Sequence, residues 1–132
     1  VSSSPHFDSE QLCQLLNDLP AEALDELPFG VIGFDAEQLV VRYNRHESQA
    51  AKFPVSEVMG QQVFVELAPC LNNYIVALRF ELAMEQSQPL DAVVPYVLTF
   101  AMRPTRVRLR LLSDPALPLR FVLVQRQVSG LV

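Results

Sequence analysis

Three side chains in this sequence could carry chemistry: a thiol, a phenol and a carboxyl. Cys70 closes the run Val63-Phe64-Val65-Glu66-Leu67-Ala68-Pro69-Cys70, and Tyr43 and Glu47 stand upstream in Tyr43-Asn44-Arg45-His46-Glu47. A thiol readily forms a stable thioester. The upstream segment offers a phenol and a carboxylate. Plainer readings stand beside these. Cys70 is equally a small buried hydrophobe, Tyr43 a ring packed at a strand end, and Glu47 a first-turn acid favoured by the helix dipole. His46 beside Glu47 suggests a Cys-His nucleophile, but no third orienting group or oxyanion feature accompanies it, so an enzyme is not expected. Cys, His and acidic residues lack metal-ligand spacing, so no metal site is expected.

The elements that must position these groups follow from periodicity and punctuation. Residues 9–18 predict a short helix with Leu12, Leu15 and Leu16 on one face and Ser9 as its N-cap. Pro20 stops it, and residues 21–27 predict a second, acidic helical stretch before Pro28. Residues 29–35 and 39–44 read as a hairpin of strands with a turn at Asp35-Ala36-Glu37-Gln38. Short helical turns follow at 47–52, 56–59 and 64–68, the second closed by Gly60. Residues 73–88 carry the longest helical signal, with Ile75, Leu78 and Leu82 on the buried side and Phe80 and Ala83 on its flank. Three strands close the chain at 92–102, 105–112 and 121–124. In the second, Val107, Leu109 and Leu111 alternate with Arg106, Arg108 and Arg110. The arginine stripe reads as a solvated face covering the acidic residues Glu22 to Glu26, or as an interaction face to which Val122 and Val124 add apolar area.

The chain has 132 residues, half of them hydrophobic, the size of one globular domain with one core. Its net charge of −5 disfavours nucleic acid and anionic membranes as partners. No apolar run approaches a membrane span. Two cysteines, Cys13 and Cys70, can pair or stay free; a cytoplasmic setting with free thiols is expected. The sequence begins with Val, not Met, so a longer parent protein is expected.

Two strands, a helical middle and three strands predict an α+β fold, a five-stranded antiparallel sheet flanked by helices. That order matches a PAS domain, and particular residues sharpen it. Leu24-Asp25-Glu26-Leu27-Pro28-Phe29-Gly30-Val31-Ile32, Tyr43-Asn44 with Glu47, Val58-Met59-Gly60, Leu67-Ala68-Pro69-Cys70, Met102-Arg103-Pro104-Thr105 and Phe121-Val122-Leu123-Val124 resemble the photoactive yellow protein family of PAS domains. The resemblance covers about residues 24–127, and the expected organisation is a helical cap over residues 1–27, a PAS domain over 28–127 and a tail or linker over 128–132. In the light-sensing members a cysteine carries a 4-hydroxycinnamoyl (p-coumaroyl) thioester whose phenolate accepts hydrogen bonds from a tyrosine and a protonated glutamic acid. Carried over, that implies attachment at Cys70 and donors at Tyr43 and Glu47. Ala51, Phe53 and Phe100 replace a threonine, an arginine and a tyrosine of those sensors, and with Met102 they imply a more apolar pocket. The expected function is a bacterial, cytoplasmic PAS-type sensory and signalling domain that binds a small apolar ligand or acts through a homodimer or an effector domain. The alternative is a blue-light photoreceptor with p-coumaric acid on Cys70.

Overall fold

The structure is a computed structural model that describes residues 6–98 and 104–126. Among these residues the chain runs α1 (Leu12–Asp18), α2 (Ala21–Leu24), β1 (Gly30–Phe34), β2 (Val40–Tyr43), α3 (Arg45–Ala51) and α4 (Val55–Val58). A π-helical turn (Val63–Leu67) and a 3-10 turn (Pro69–Leu71) follow, then α5 (Ala77–Glu85), β3 (Leu90–Leu98), β4 (Thr105–Ser113) and β5 (Arg120–Arg126). The strands form one antiparallel sheet in the order β2-β1-β5-β4-β3, the predicted α+β architecture.

Local chemistry sets the turns. Asp35 closes the β1–β2 hairpin by accepting from the Glu37 and Leu39 N–H groups at 2.9 and 3.1 Å, an Asx turn. The two-residue period of the strands then sorts side chains onto two faces. On one, Ile32, Phe34, Leu109, Leu111, Val122 and Val124 pack against the helical middle of the chain. On the other, Val31, Leu112, Phe121 and Leu123 pack against Phe7, Leu12, Leu16, Leu24 and Leu27 of the N-terminal segment. Both faces of the sheet centre are therefore buried.

Four expectations change. Helix α1 starts at Leu12, not near Ser9. The Ser9 hydroxyl accepts from the His6 N–H instead, and Gln11 takes a left-handed conformation (φ 54°) that a continuing helix cannot pass through. Helix α5 buries Ala77, Phe80 and Ala83, while Leu78 and Leu82 are 40% and 42% exposed. The aromatic group decides that choice: the Phe80 ring meets Phe34 and Phe64 at centroid distances of 5.1 and 6.1 Å. The arginine stripe holds Asp8, Asp91 and backbone, not Glu22 to Glu26. Arg110 pairs with both Asp91 oxygens and donates to the Phe7 and Ser9 carbonyls, and Arg108 lies 5.0 Å over the Phe7 ring. Val122 and Val124 lie in the core, not on an interaction face.

Candidate functional site

Asn44 builds the first half of the site. Extended backbone at this residue (φ −86°, ψ 169°) makes it the N-cap of α3, and its side-chain oxygen accepts from the Glu47 N–H at 3.1 Å. The same oxygen accepts from the Val31 N–H at 2.9 Å, while the amide nitrogen donates to the Leu24 and Phe29 carbonyls at 2.8 and 3.0 Å. One fully buried amide thus fixes α2, β1 and α3 to one another. It also aims the next turn of α3 at the sheet.

Glu47 occupies that turn and is 0% exposed. Its carboxylate reaches β5, where Arg126 donates to both oxygens at 2.8 and 3.0 Å. Such a fork-to-fork contact is the strongest geometry for an arginine–carboxylate pair. The side chain crosses Gly30 so closely that a Cβ there would stand 2.0 Å from Oε1. Gly30 is therefore required by close approach.

Tyr43 ends β2 opposite Ile32, with its ring in the main core. Its hydroxyl is buried and finds no hydrogen-bond partner among the described residues. Burial holds this phenol well above its ordinary range, the nearby Glu47 charge adds to the effect, and Arg126 opposes it. Tyr43 is thus a neutral donor with its proton uncommitted.

Cys70 comes from the other side of the same core. The π-helical turn Val63–Leu67 buries Val63, Phe64 and Leu67, and Pro69, lacking an N–H, begins the 3-10 turn that carries the thiol. Cys70 is half-buried, unpaired with Cys13, and packed against the cluster that contains Tyr43. Its carbonyl accepts from the Tyr96 hydroxyl of β3 and from the Asn73 amide, which also donates to Tyr96. This clasp ties the thiol-bearing turn to an edge strand.

Of the other residues singled out in the sequence, Ala51 is buried at the end of α3 and Phe53 is half-buried against the same core. Phe100 and Met102 lie outside the described residues. Sequence reasoning missed the roles of Arg126, Asn73 and Tyr96. A signal for Arg126 existed: it continues the two-residue period of Val122 and Val124 onto the inward face.

No family model matches the chain. The photoactive yellow protein of Halochromatium salexigens is 28% identical over 106 residues, covering 80% of this chain and 84% of that protein. The photoactive yellow protein domain of the sensor histidine kinase Ppr from Rhodospirillum centenum superposes with a TM-score of 0.76 at 29% identity, covering 86% of this chain and 98% of that domain. A PAS domain of an HTR-like protein from Haloarcula marismortui shares the fold at 14% identity and a TM-score of 0.58. The chain is similar to photoactive yellow proteins and has the PAS fold. Its architecture is that of sensory domains. In this photoactive yellow protein-like domain Tyr43 and Cys70 flank one apolar core, and Glu47, which the resemblance assigns as a proton-bearing donor, instead accepts two hydrogen bonds from Arg126. Among the described residues no helix is long and apolar enough to cross a membrane.

Proposed function

We propose that this sensory domain works through an aromatic ligand whose oxygen accepts a hydrogen bond from the Tyr43 hydroxyl and whose acyl end is held as a thioester by Cys70, a p-coumaroyl group in the first instance. The buried, unpartnered Tyr43 hydroxyl carries the proposal. An unsatisfied buried hydroxyl costs about 1–3 kcal/mol, which an acceptor on the ligand would offset. Bound there, the group supplies a light-isomerisable double bond in conjugation with its phenolate. The protein's own residues do the rest. Tyr43 donates to the phenolate oxygen, Ala51 and Phe53 exclude water, and the Tyr96–Asn73 clasp holds Cys70 in place.

Attachment requires an activated acyl donor. The Cys70 thiolate attacks its carbonyl carbon, the sulfur–carbon bond forms, and the leaving group departs with the electron pair of the bond it gives up. Glu47 is not the proton source while Arg126 holds both its oxygens, so the site works with one direct donor. A second reading, an uncoloured PAS module acting through a small apolar ligand or a dimer, is favoured by that same ion pair and by apolar Ala51 and Phe53. The Ppr relative is part of a sensor histidine kinase; an effector domain in a longer parent protein fits either reading.

Incubation with p-coumaric anhydride separates them. The first reading expects a visible absorption band that bleaches in light, is absent from Cys70→Ala, and is shifted in Tyr43→Phe. A colourless native protein, or a Cys70→Ala protein that colours equally, overturns it in favour of the second.

A further inference from the structure

Three arginines on the sheet are largely withdrawn from water, and two of them hold a carboxylate in bidentate contact: Arg110 with Asp91 and Arg126 with Glu47. Arg120, at the opposite end of β5 from Arg126 and on the same inward face, does not. It is only 7% exposed, and its Nε is buried with no partner. Among the described residues its polar contact is the Met84 thioether, a weak acceptor. None of the residues outside the described ones is Asp or Glu. An arginine stays charged at any accessible pH, and a charge removed from water without a counter-ion is costly.

Arg120 lines an open cavity of about 310 Å³ between the β1–β2 turn and α5, the size at which small-ligand sites begin. The floor is apolar, formed by Phe34 and Phe80. Gln38 lines the cavity beside them. The α5 side carries Glu81 and Glu85. These two acids are four residues apart on one helix face, where like charges repel. The cavity is thus bipolar, with an unpaired guanidinium at its base and an uncompensated pair of carboxylates at its rim.

We propose that this cavity binds a small zwitterion of the α-amino-acid class with an apolar side chain. Its carboxylate pairs with Arg120 and Gln38, its ammonium lies between Glu81 and Glu85, and its side chain covers Phe34 and Phe80. The rim acids disfavour a ligand that brings only negative charge, and buried Arg120 disfavours one that brings only positive charge. The site is separate from Tyr43 and Cys70 and would make the sensory domain responsive to a second, soluble signal.

Calorimetric titration of the full chain with three probes tests this: L-leucine, 4-methylvalerate (carboxylate without ammonium) and 3-methylbutylamine (ammonium without carboxylate). Leucine should bind saturably, and each half-ligand about tenfold or more weakly, the expected scale for losing a charge-assisted contact. Glu81→Gln with Glu85→Gln, both exposed, should remove the preference for leucine over 4-methylvalerate, and Arg120→Gln should abolish binding. Gln38→Ala gives an independent weakening should Arg120→Gln not fold. Cys70→Ala should bind leucine as the native protein does, which separates this site from the one proposed above. No saturable heat with leucine, equal binding of leucine and 4-methylvalerate, or native affinity in both Arg120→Gln and Gln38→Ala overturns the proposal.

Discussion

Gly30→Ala measures the buried ion pair from its steric side. A methyl at Gly30 would stand 2.0 Å from the Glu47 Oε1, 3.1 Å from its carboxyl carbon and 3.3 Å from its Cβ. The last two contacts are tolerable after small shifts; the first is not. Either the carboxylate leaves Arg126 or α3 lifts from β1, and both break the bidentate contact. Breaking a buried pair costs about 3–5 kcal/mol, and about 3 is the appropriate end because the Arg126 side chain keeps 18% exposure and can recover some water. For a domain of this size that lowers the melting temperature by about 10 °C. Without Glu47 the same substitution should be mildly favourable, by roughly 0.5–1 kcal/mol, because alanine restricts an unfolded strand residue that glycine leaves free.

The sign reversal is the test. Urea unfolding of the native protein, Gly30→Ala, Glu47→Ala and the double variant closes a thermodynamic cycle. Each single change should cost about 3 kcal/mol, and the double about 2–2.5 kcal/mol, giving a coupling of about 3.5–4 kcal/mol. Additive costs, or a Gly30→Ala protein as stable as the native one, would refute the close-approach argument.

Tyr43→Phe, tested without added ligand, should leave urea stability unchanged or raised by up to about 1 kcal/mol, because it deletes a buried hydroxyl that has no partner. A loss above that size would mean the hydroxyl is already satisfied. Burial pushes the Cys13 thiol up to about 11, with the Asp114 and Asp91 charges adding to it and Arg110 opposing. Its native-state alkylation by iodoacetamide at pH 8 should therefore run about a hundredfold slower than in urea, from the thiolate fraction alone. Between pH 9 and 11 the folded chain binds more protons here than the unfolded chain, so stability present below pH 9 falls as pH rises through that window. An equal slope in Cys13→Ser would assign the fall to another group.

The strands were legible because alternation over a sheet buried at its centre leaves few choices: Val107, Leu109 and Leu111 must face one way once Arg106, Arg108 and Arg110 face the other. The hidden parts depend on which of two acceptable faces a neighbour selects. Helix α5 carries apolar residues on two stripes, Leu78 and Leu82 on one, Ala77, Phe80 and Ala83 on the other. Periodicity admits both, and the choice is made by Phe34 and Phe64, distant in sequence. The site divides in the same way. Asn44 announced itself as a strand-ending residue, yet its four bonds to three elements depend on the path of α2. The Glu47–Arg126 contact joins residues 79 apart in sequence, a closure no local pattern specifies.

Strand β5 explains why that contact matters to the domain as a whole. It lies between β1 and β4, pairing with both, and its inward face reads Arg120, Val122, Val124, Arg126. Two valines seal the centre of the core while an arginine stands at each end. The end near α3 is neutralised from within the chain, at a carboxylate placed by Asn44 beside the Tyr43 hydroxyl. The end near α5 is not neutralised. A ligand at Tyr43 would meet a site whose charges are already balanced, so its binding must rest on one hydrogen bond, apolar contact and the Cys70 linkage. A ligand at Arg120 would supply the missing countercharge to a guanidinium withdrawn from water, where added salt screens little. The two ends of one strand are thereby suited to different chemistry, and substitution distinguishes them: Arg120→Gln should abolish leucine binding and leave acylation of Cys70 intact, and Tyr43→Phe should shift the absorption of the acyl group and leave leucine binding intact.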